Sequence, residues 1–326
     1  MSARSGVGGG AAGGDAPLPP SRESVCAVLV TYEPPDGLEQ RVQAVLPHAG
    51  HVVVVDNRSA PAARRRIRDL VREHDLELIE NDDNLGLATA LNEGARRAIA
   101  LGAEWVLTLD QDTVVLPSFL DAVSHVYRRY ERPECIGLIG VNVEEAGTGR
   151  TAVDVGETTG PPWVEAREII TSGSLLPLRV YERVGPFRDE LFIDLVDFEY
   201  CHRVRSAGLR ILVAKRVGIV QRYGDCTIKQ VLGMRVVTRD YSPTRTYYRT
   251  RNAVVLMREQ LWDDPLSALT RIWAVVQRAA SILVFEAGRR QKLRLLATGI
   301  VHGLRGRLGP YEVAPRLVAS PDDRGP

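Results

Sequence analysis

No closely spaced pair of cysteines occurs in this chain. Its four, Cys26, Cys135, Cys201 and Cys226, are scattered without a Cys-x-x-Cys or Cys/His spacing. That argues against a structural zinc site and leaves free thiols in a reducing cytosol as the simpler account. An excess of charge of either sign is missing too. The formal net charge is +1 over 326 residues, so no global field recruits nucleic acid. The first twenty residues are rich in Gly, Ala, Pro and Ser and lack the apolar core of a signal peptide. Residues 1–22 are therefore expected to form a disordered arm, and 313–326 a polar tail. Neither common phosphate loop, Gly-x-Gly-x-x-Gly or Gly-Lys-Ser/Thr, follows the first apolar run, which argues against a dinucleotide-dependent dehydrogenase and a P-loop enzyme. The longest mainly apolar part, 272–285, is interrupted by Gln277 and Arg278 and falls short of the ~20 residues that span a bilayer.

The residues present are ordered. Short apolar runs at 25–30, 51–55, 76–79 and 105–109 alternate with helical patterns at 38–46, 62–73 and 87–101. Doubly apolar strands separated by helices predict an α/β fold with a mainly parallel sheet covered on both faces. Ligands bind such sheets beyond the carboxyl ends of the strands. All four runs end in polar residues, at Thr31, Asp56, Asn84 and Asp110, which together make a binding edge. The chain has room for one large domain with appendages or for two small ones.

The fourth run ends in two carboxylates, Asp110 and Asp112. Residues two apart on an extended segment point the same way, so these two repel unless a cation lies between them. A hard divalent ion such as Mg²⁺ or Mn²⁺ takes oxygen ligands and bridges to substrate phosphates. A solvated turn at a strand end is the plain alternative. A second acidic stretch, 187–203, places Asp194, Asp197 and Glu199 among apolar residues. Asp197 is set to begin a helix running to Ser206, with Gly208 beyond its end. As a helix cap alone it would need no chemistry.

Taken in order, these pieces resemble the inverting glycosyltransferases of family 2, which have the GT-A fold, and within them the bacterial rhamnosyltransferases that use thymidine-diphosphate rhamnose. The likeness rests on residues 30–34, 54–57, 84–88, 91–94, 109–112, 171–173, 192–199 and 247–252. It implies a catalytic domain over 23–225 and a C-terminal helical region over 226–312. It implies that Thr31, Tyr32 and Glu33 line a nucleotide pocket, with Asp56 on the base. Asn84 and Gly86 would lie over base and ribose, with Asn92 nearby, and Gly173 beside the donor sugar. Asp110 and Asp112 would hold Mg²⁺ or Mn²⁺ on the diphosphate. Asp197 would be the general base, with Asp194 in reserve. Two histidines usual in relatives, near Gln221 and at Tyr241, are absent, and Arg222 or Arg249 would have to supply the positive charge.

The expected partners are a nucleotide-diphosphate sugar donor and a saccharide or lipid-linked acceptor. A binding or scaffold protein without turnover is the rival reading, favoured only by the absent histidines. A nucleotidyltransferase would usually need a glycine-rich basic loop that 31–37 lacks. Between 266 and 309 stand eight Lys/Arg against one acid, Glu286, with apolar residues between them. That pattern reads as a basic amphipathic helix suited to an anionic membrane surface, or as a packed helix with a solvated basic face. The location expected is cytoplasmic, peripheral at the inner face of the cell membrane.

Overall fold

The computed structural model describes residues 17–147, 149–153, 160–221, 226–231 and 234–311. In chain order the elements are β1 (Val25–Thr31), α1 (Leu38–Val45), β2 (His51–Asp56), α2 (Pro61–Glu73), β3 (Glu77–Glu80), α3 (Leu87–Ala100), β4 (Trp105–Asp110), β5 (Val114–Val115) and α4 (Phe119–Arg129). Then come β6 (Ile136–Glu145), β7 (Trp163–Glu165), β8 (Ser174–Pro177), α5 (Leu178–Val184), α6 (Val196–Ser206), β9 (Arg210–Gln221), β10 (Cys226–Val231), β11 (Met234–Arg239), α7 (Pro243–Gln260), α8 (Pro265–Phe285) and α9 (Arg289–Leu304).

The sheet runs β3-β2-β1-β4-β8-β6-β9-β5, with β7 paired to β9. The first four strands are mutually parallel, as their alternation with helices requires. The sheet as a whole is mixed, because β8 lies antiparallel between β4 and β6. Side-chain alternation along β1 feeds two cores. Val25, Ala27 and Leu29 join α1 and α4 on one face, while Cys26, Val28 and Val30 join α3, α5 and α6 on the other. Gly94 lets α3 approach β1 closely, since a Cβ there would come within 2.2 Å of Val28 Cγ1. Cys26 and Cys201 are buried free thiols.

Three expectations change. Residues 17–22, assigned to the arm, pack on the body: Trp105 Nε1 donates to Leu18 O at 3.0 Å, and Ser124 Oγ donates to Pro20 O at 2.5 Å. Burial of those donors requires partners, and the arm supplies them. The C-terminal helices are no separate appendage, because α7 holds the acidic loop of the site. The third change concerns the basic stretch. Arg271, Arg278 and Lys292 point inward, where they pair with Glu168, with Glu286, and with Glu286 and Asp240. Buried cations persist only when paired in this way. Residues 1–16 and 313–326, Arg222 and part of 144–159 lie outside the described residues.

Candidate active site

The carboxyl ends of β1, β2 and β4 open on one edge of the sheet, and the loops beyond them are tied together. Tyr32 N donates to Gln111 Oε1 at 2.8 Å, and Gln111 Nε2 returns a bond to Tyr32 O at 3.0 Å. Glu33 N meets Ser59 Oγ at 2.9 Å, and the Glu33 carboxylate accepts from Ala60 N at 2.6 Å. This negative charge therefore sits at the N-terminus of α2, where free N–H groups favour it. Tyr32, Glu33, Arg58, Arg64 and Asn84 line an open cleft of about 450 Å³. A cleft of about 420 Å³ lined by Asp121, His125, Lys215 and Arg216 holds none of the expected site residues.

Four of the residues expected at the nucleotide are buried and engaged in internal contacts. Asp56 is fully buried, and its carboxylate accepts from Thr31 Oγ1, Ser59 N, Ser59 Oγ and Arg64 Nε at 2.5–3.2 Å. Thr31 is fully buried as well. These residues shape the cleft wall from behind. Asn92 is also fully buried, donating to Phe187 O and Asp189 while Phe187 N and Tyr181 Oη donate to it. It clamps α3 to the segment before α6 and lies away from the cleft. Gly86 has φ +90, and a Cβ there would come within 2.6 Å of Phe192 O. It is glycine so that Leu87 N can donate to Phe192 O at 2.6 Å.

At the end of β4, Asp110 N donates to Ser172 Oγ at 3.1 Å, and Gln221 Nε2 donates to Asp110 Oδ2 at 3.0 Å. Burial, then the charge of Asp112, raises the Asp110 carboxyl to about 6, with Arg245 opposing. Burial raises Asp112 also. Gln221 Oε1 is buried and unpartnered. Two crowded carboxylates with raised proton affinity beside an orphaned amide oxygen form a hard-oxygen set that fits a divalent cation. Gly173, at φ +75, brings backbone against Ile219, and its N–H donates to Thr108 O at 2.9 Å.

Asp197 lies in the first turn of α6, where it does not serve as the cap: the capping position is Leu195, with no side-chain bond. Asp197 sits over a small hollow lined by Leu138, Ile169, Tyr200 and Cys201. Burial is the main cause that lifts its carboxyl to about 7, with Asp110 and Asp194 adding to it and the Phe198 and Thr171 backbone opposing. Asp194 differs. Its side chain is 5% exposed and pairs with Arg245 at 3.3 Å and Arg249 at 3.8 Å. Its oxygens are thus already engaged by two guanidiniums and turned away from solvent.

The acidic loop is strained. Phe192, Asp194 and Leu195 all have left-handed φ, between 63 and 66, which costs free energy for residues with a Cβ. The α7 helix holds it there. Asn252 Nδ2 donates to Leu191 O, Ile193 O and Asp194 O at 2.8–3.0 Å. Arg251, fully buried, donates to Leu191 O at 2.9 Å and Glu190 O at 3.2 Å. Sequence reasoning did not single out Arg245, Ser172 or Asn252 individually. The one available signal was the run of polar residues at 245–252, with Asn and Arg adjacent at its end. At the position where the resemblance implied a second histidine, Tyr241 gathers Arg245, Arg249 and Arg278 around its ring at 4.9–5.4 Å.

Residues 26–154 match the family model described as glycosyl transferase family 2. The chain is 28% identical over 298 residues to the dTDP-rhamnosyl transferase RfbF of Shigella flexneri, covering 88% of this chain and 97% of that protein. It is 25% identical over 264 residues to the galactofuranosyltransferase GlfT1 of Mycolicibacterium smegmatis, covering 73% and 84%. The fold is similar to that of S. aureus TarS 1–349, with TM-score 0.57 at 12% identity over 87% of this chain and 82% of that one. It is similar also to the mannosyltransferase PcManGT of Pyrobaculum calidifontis, solved with GDP-Man and Mn²⁺, with TM-score 0.53 at 16% identity over 90% of each chain.

Proposed function

We propose, for a chain that is a glycosyltransferase of the family 2 type, that it moves L-rhamnose from thymidine-diphosphate rhamnose to a saccharide or lipid-linked acceptor with inversion. The donor assignment is supported by the likeness to RfbF over most of both chains. The observation that carries the mechanism is Asp197, a carboxylate raised to about 7 at the same sheet edge as Asp110 and Asp112. A base near neutrality takes a proton from an attacking hydroxyl efficiently. A base that attacks nothing itself leaves single displacement, and single displacement inverts the anomeric centre.

The cleft of Tyr32, Glu33, Arg58, Arg64 and Asn84 would take the nucleoside. Asp110 and Asp112 would hold Mg²⁺ or Mn²⁺, which when bound offsets the negative charge of a departing diphosphate. Arg245 adds fixed positive charge near both carboxylates, Arg249 pairs with the neighbouring Asp194, and Gln221 keeps Asp110 oriented. They fill the place of the absent histidines. The scaffold reading loses its support once those positions carry replacements. Thermal protection by thymidine-diphosphate rhamnose, with Mn²⁺ present, is expected to exceed that by uridine-diphosphate glucose. Asp112→Asn should abolish the metal-dependent part of that protection. The reverse donor order would sink the rhamnosyl assignment, and metal-independent protection would sink the metal assignment.

A further inference from the structure

Helix α8 is built inside out. Its only charged residues, Arg271 and Arg278, are both buried against the body. Its outer face carries Leu266, Leu269, Trp273, Val276, Leu283 and Val284, each more than half exposed. A surface helix ordinarily turns its charges to water and its apolar stripe to the core. Here a 21-residue helix, roughly 32 Å long at about 1.5 Å per residue, presents an apolar face interrupted by Thr270 and Gln277. Trp262, in the turn before it, is 87% exposed. Exposed contiguous apolar surface of this size marks an interaction site.

We infer that this face docks on an anionic lipid surface. The charge of the flanking chain selects the partner. Arg290, Arg294, Arg305 and Arg307 follow the helix in sequence and are exposed, against two exposed acids, Glu259 and Asp263, shortly before its start. An anionic bilayer is a partner at once apolar and negative. A second copy of this chain would bring the same arginines. The helix lies in the plane of the surface and does not cross it. The ion pairs of Arg271 with Glu168 and of Arg278 with Glu286 hold α8 along the body. From Arg278 the path to the site is short: its guanidinium meets the Tyr241 ring at 4.9 Å, and the same ring meets Arg245 and Arg249, which pair with Asp194. The docked face thus lies about one helix diameter, roughly 10 Å, behind groups that edge the site. Service to a lipid-borne acceptor rests on the transferase reading, while the docking does not.

Flotation of the full chain with phosphatidylcholine vesicles, with and without phosphatidylglycerol, tests this. The wild type is expected to float with the phosphatidylglycerol vesicles. The triple variant Leu269→Gln, Trp273→Gln, Val276→Gln should lose about tenfold or more in partitioning, with an unchanged thermal unfolding curve because all three side chains are exposed. The variant Arg290→Gln, Arg294→Gln should lose several-fold at low salt and little at high salt, where screening removes the difference. A wild type that stays in solution overturns the proposal, as does a triple variant that floats equally well. Self-association in sedimentation that the triple variant abolishes, without flotation, would give the face to a second copy and also overturn it. Flotation without hydrolysis of the sugar donor would fault the transferase reading and leave the docking standing.

Discussion

A carboxylate that must accept a proton from a sugar hydroxyl works best when its own proton affinity lies near ambient pH. Asp197 is held there by its surroundings, at about 7 against an ordinary 3.8. Catalytic rate should therefore rise with pH along a limb centred near 7, and Asp197→Asn should lower kcat by about 10²–10⁴-fold with donor affinity nearly unchanged. The same shift has a cost in stability. The folded state favours the neutral acid, so Asp197 adds stability below its unfolded value near 4 and withdraws it as pH rises through about 7. Under chelator, Asp197→Asn should melt higher than wild type at pH 8 and show little difference at pH 4. An equal or lower melting temperature at pH 8 would contradict the burial of this charge. Spacing brought Asp110, Asp112 and Asp197 forward as candidates, and the family resemblance gave them their expected roles; spacing could not choose between Asp194 and Asp197. It could not show that Asp56 and Asn92 would be buried with internal partners, because a polar residue at a strand end or in a helix looks the same whatever it bonds to. Arg245 stayed hidden among 42 basic residues, since its value arises from a fold that sets it against Asp194.

Among elements, the first four strands and three helices were readable almost to the residue. β1, β2 and β4 are covered on both faces and so show mainly apolar runs, whereas the edge strand β3 is half-buried throughout. Past residue 136 that rule lapses, for β8 is four residues long and reaches its neighbours through irregular loops. Helix α8 left two readings in the sequence, and the burial of Arg271 and Arg278 counts against a solvated basic face: periodicity reports that a helix has two sides and leaves open which side finds partners. The loop of 190–195 shows how α7 compensates strain elsewhere. Asn252→Ala would remove its bond to three carbonyls, of which Leu191 O keeps the Arg251 guanidinium as donor. A destabilisation of about 1–3 kcal/mol is expected, together with a fall in kcat larger than the change in donor affinity. Denaturant unfolding and steady-state kinetics on the same preparation would show whether the two losses travel together.

At the scale of the molecule, the match to residues 26–154 invites the thought that this stretch is a module. The strand order forbids it. β6, which ends at Glu145, is joined to β4 only by way of β8, and its other neighbour is β9. A chain stopped at 154 should therefore be insoluble or unfolded by circular dichroism and proteolysis, whereas one ending at 311 should fold. Synthesis on the ribosome meets the same constraint in time. At about 5–20 residues per second, several seconds pass between the emergence of β4 and that of β8. Throughout that interval the growing chain carries a bare strand edge next to Asp110 and Asp112, so the nascent protein has more need of a chaperone than the finished one.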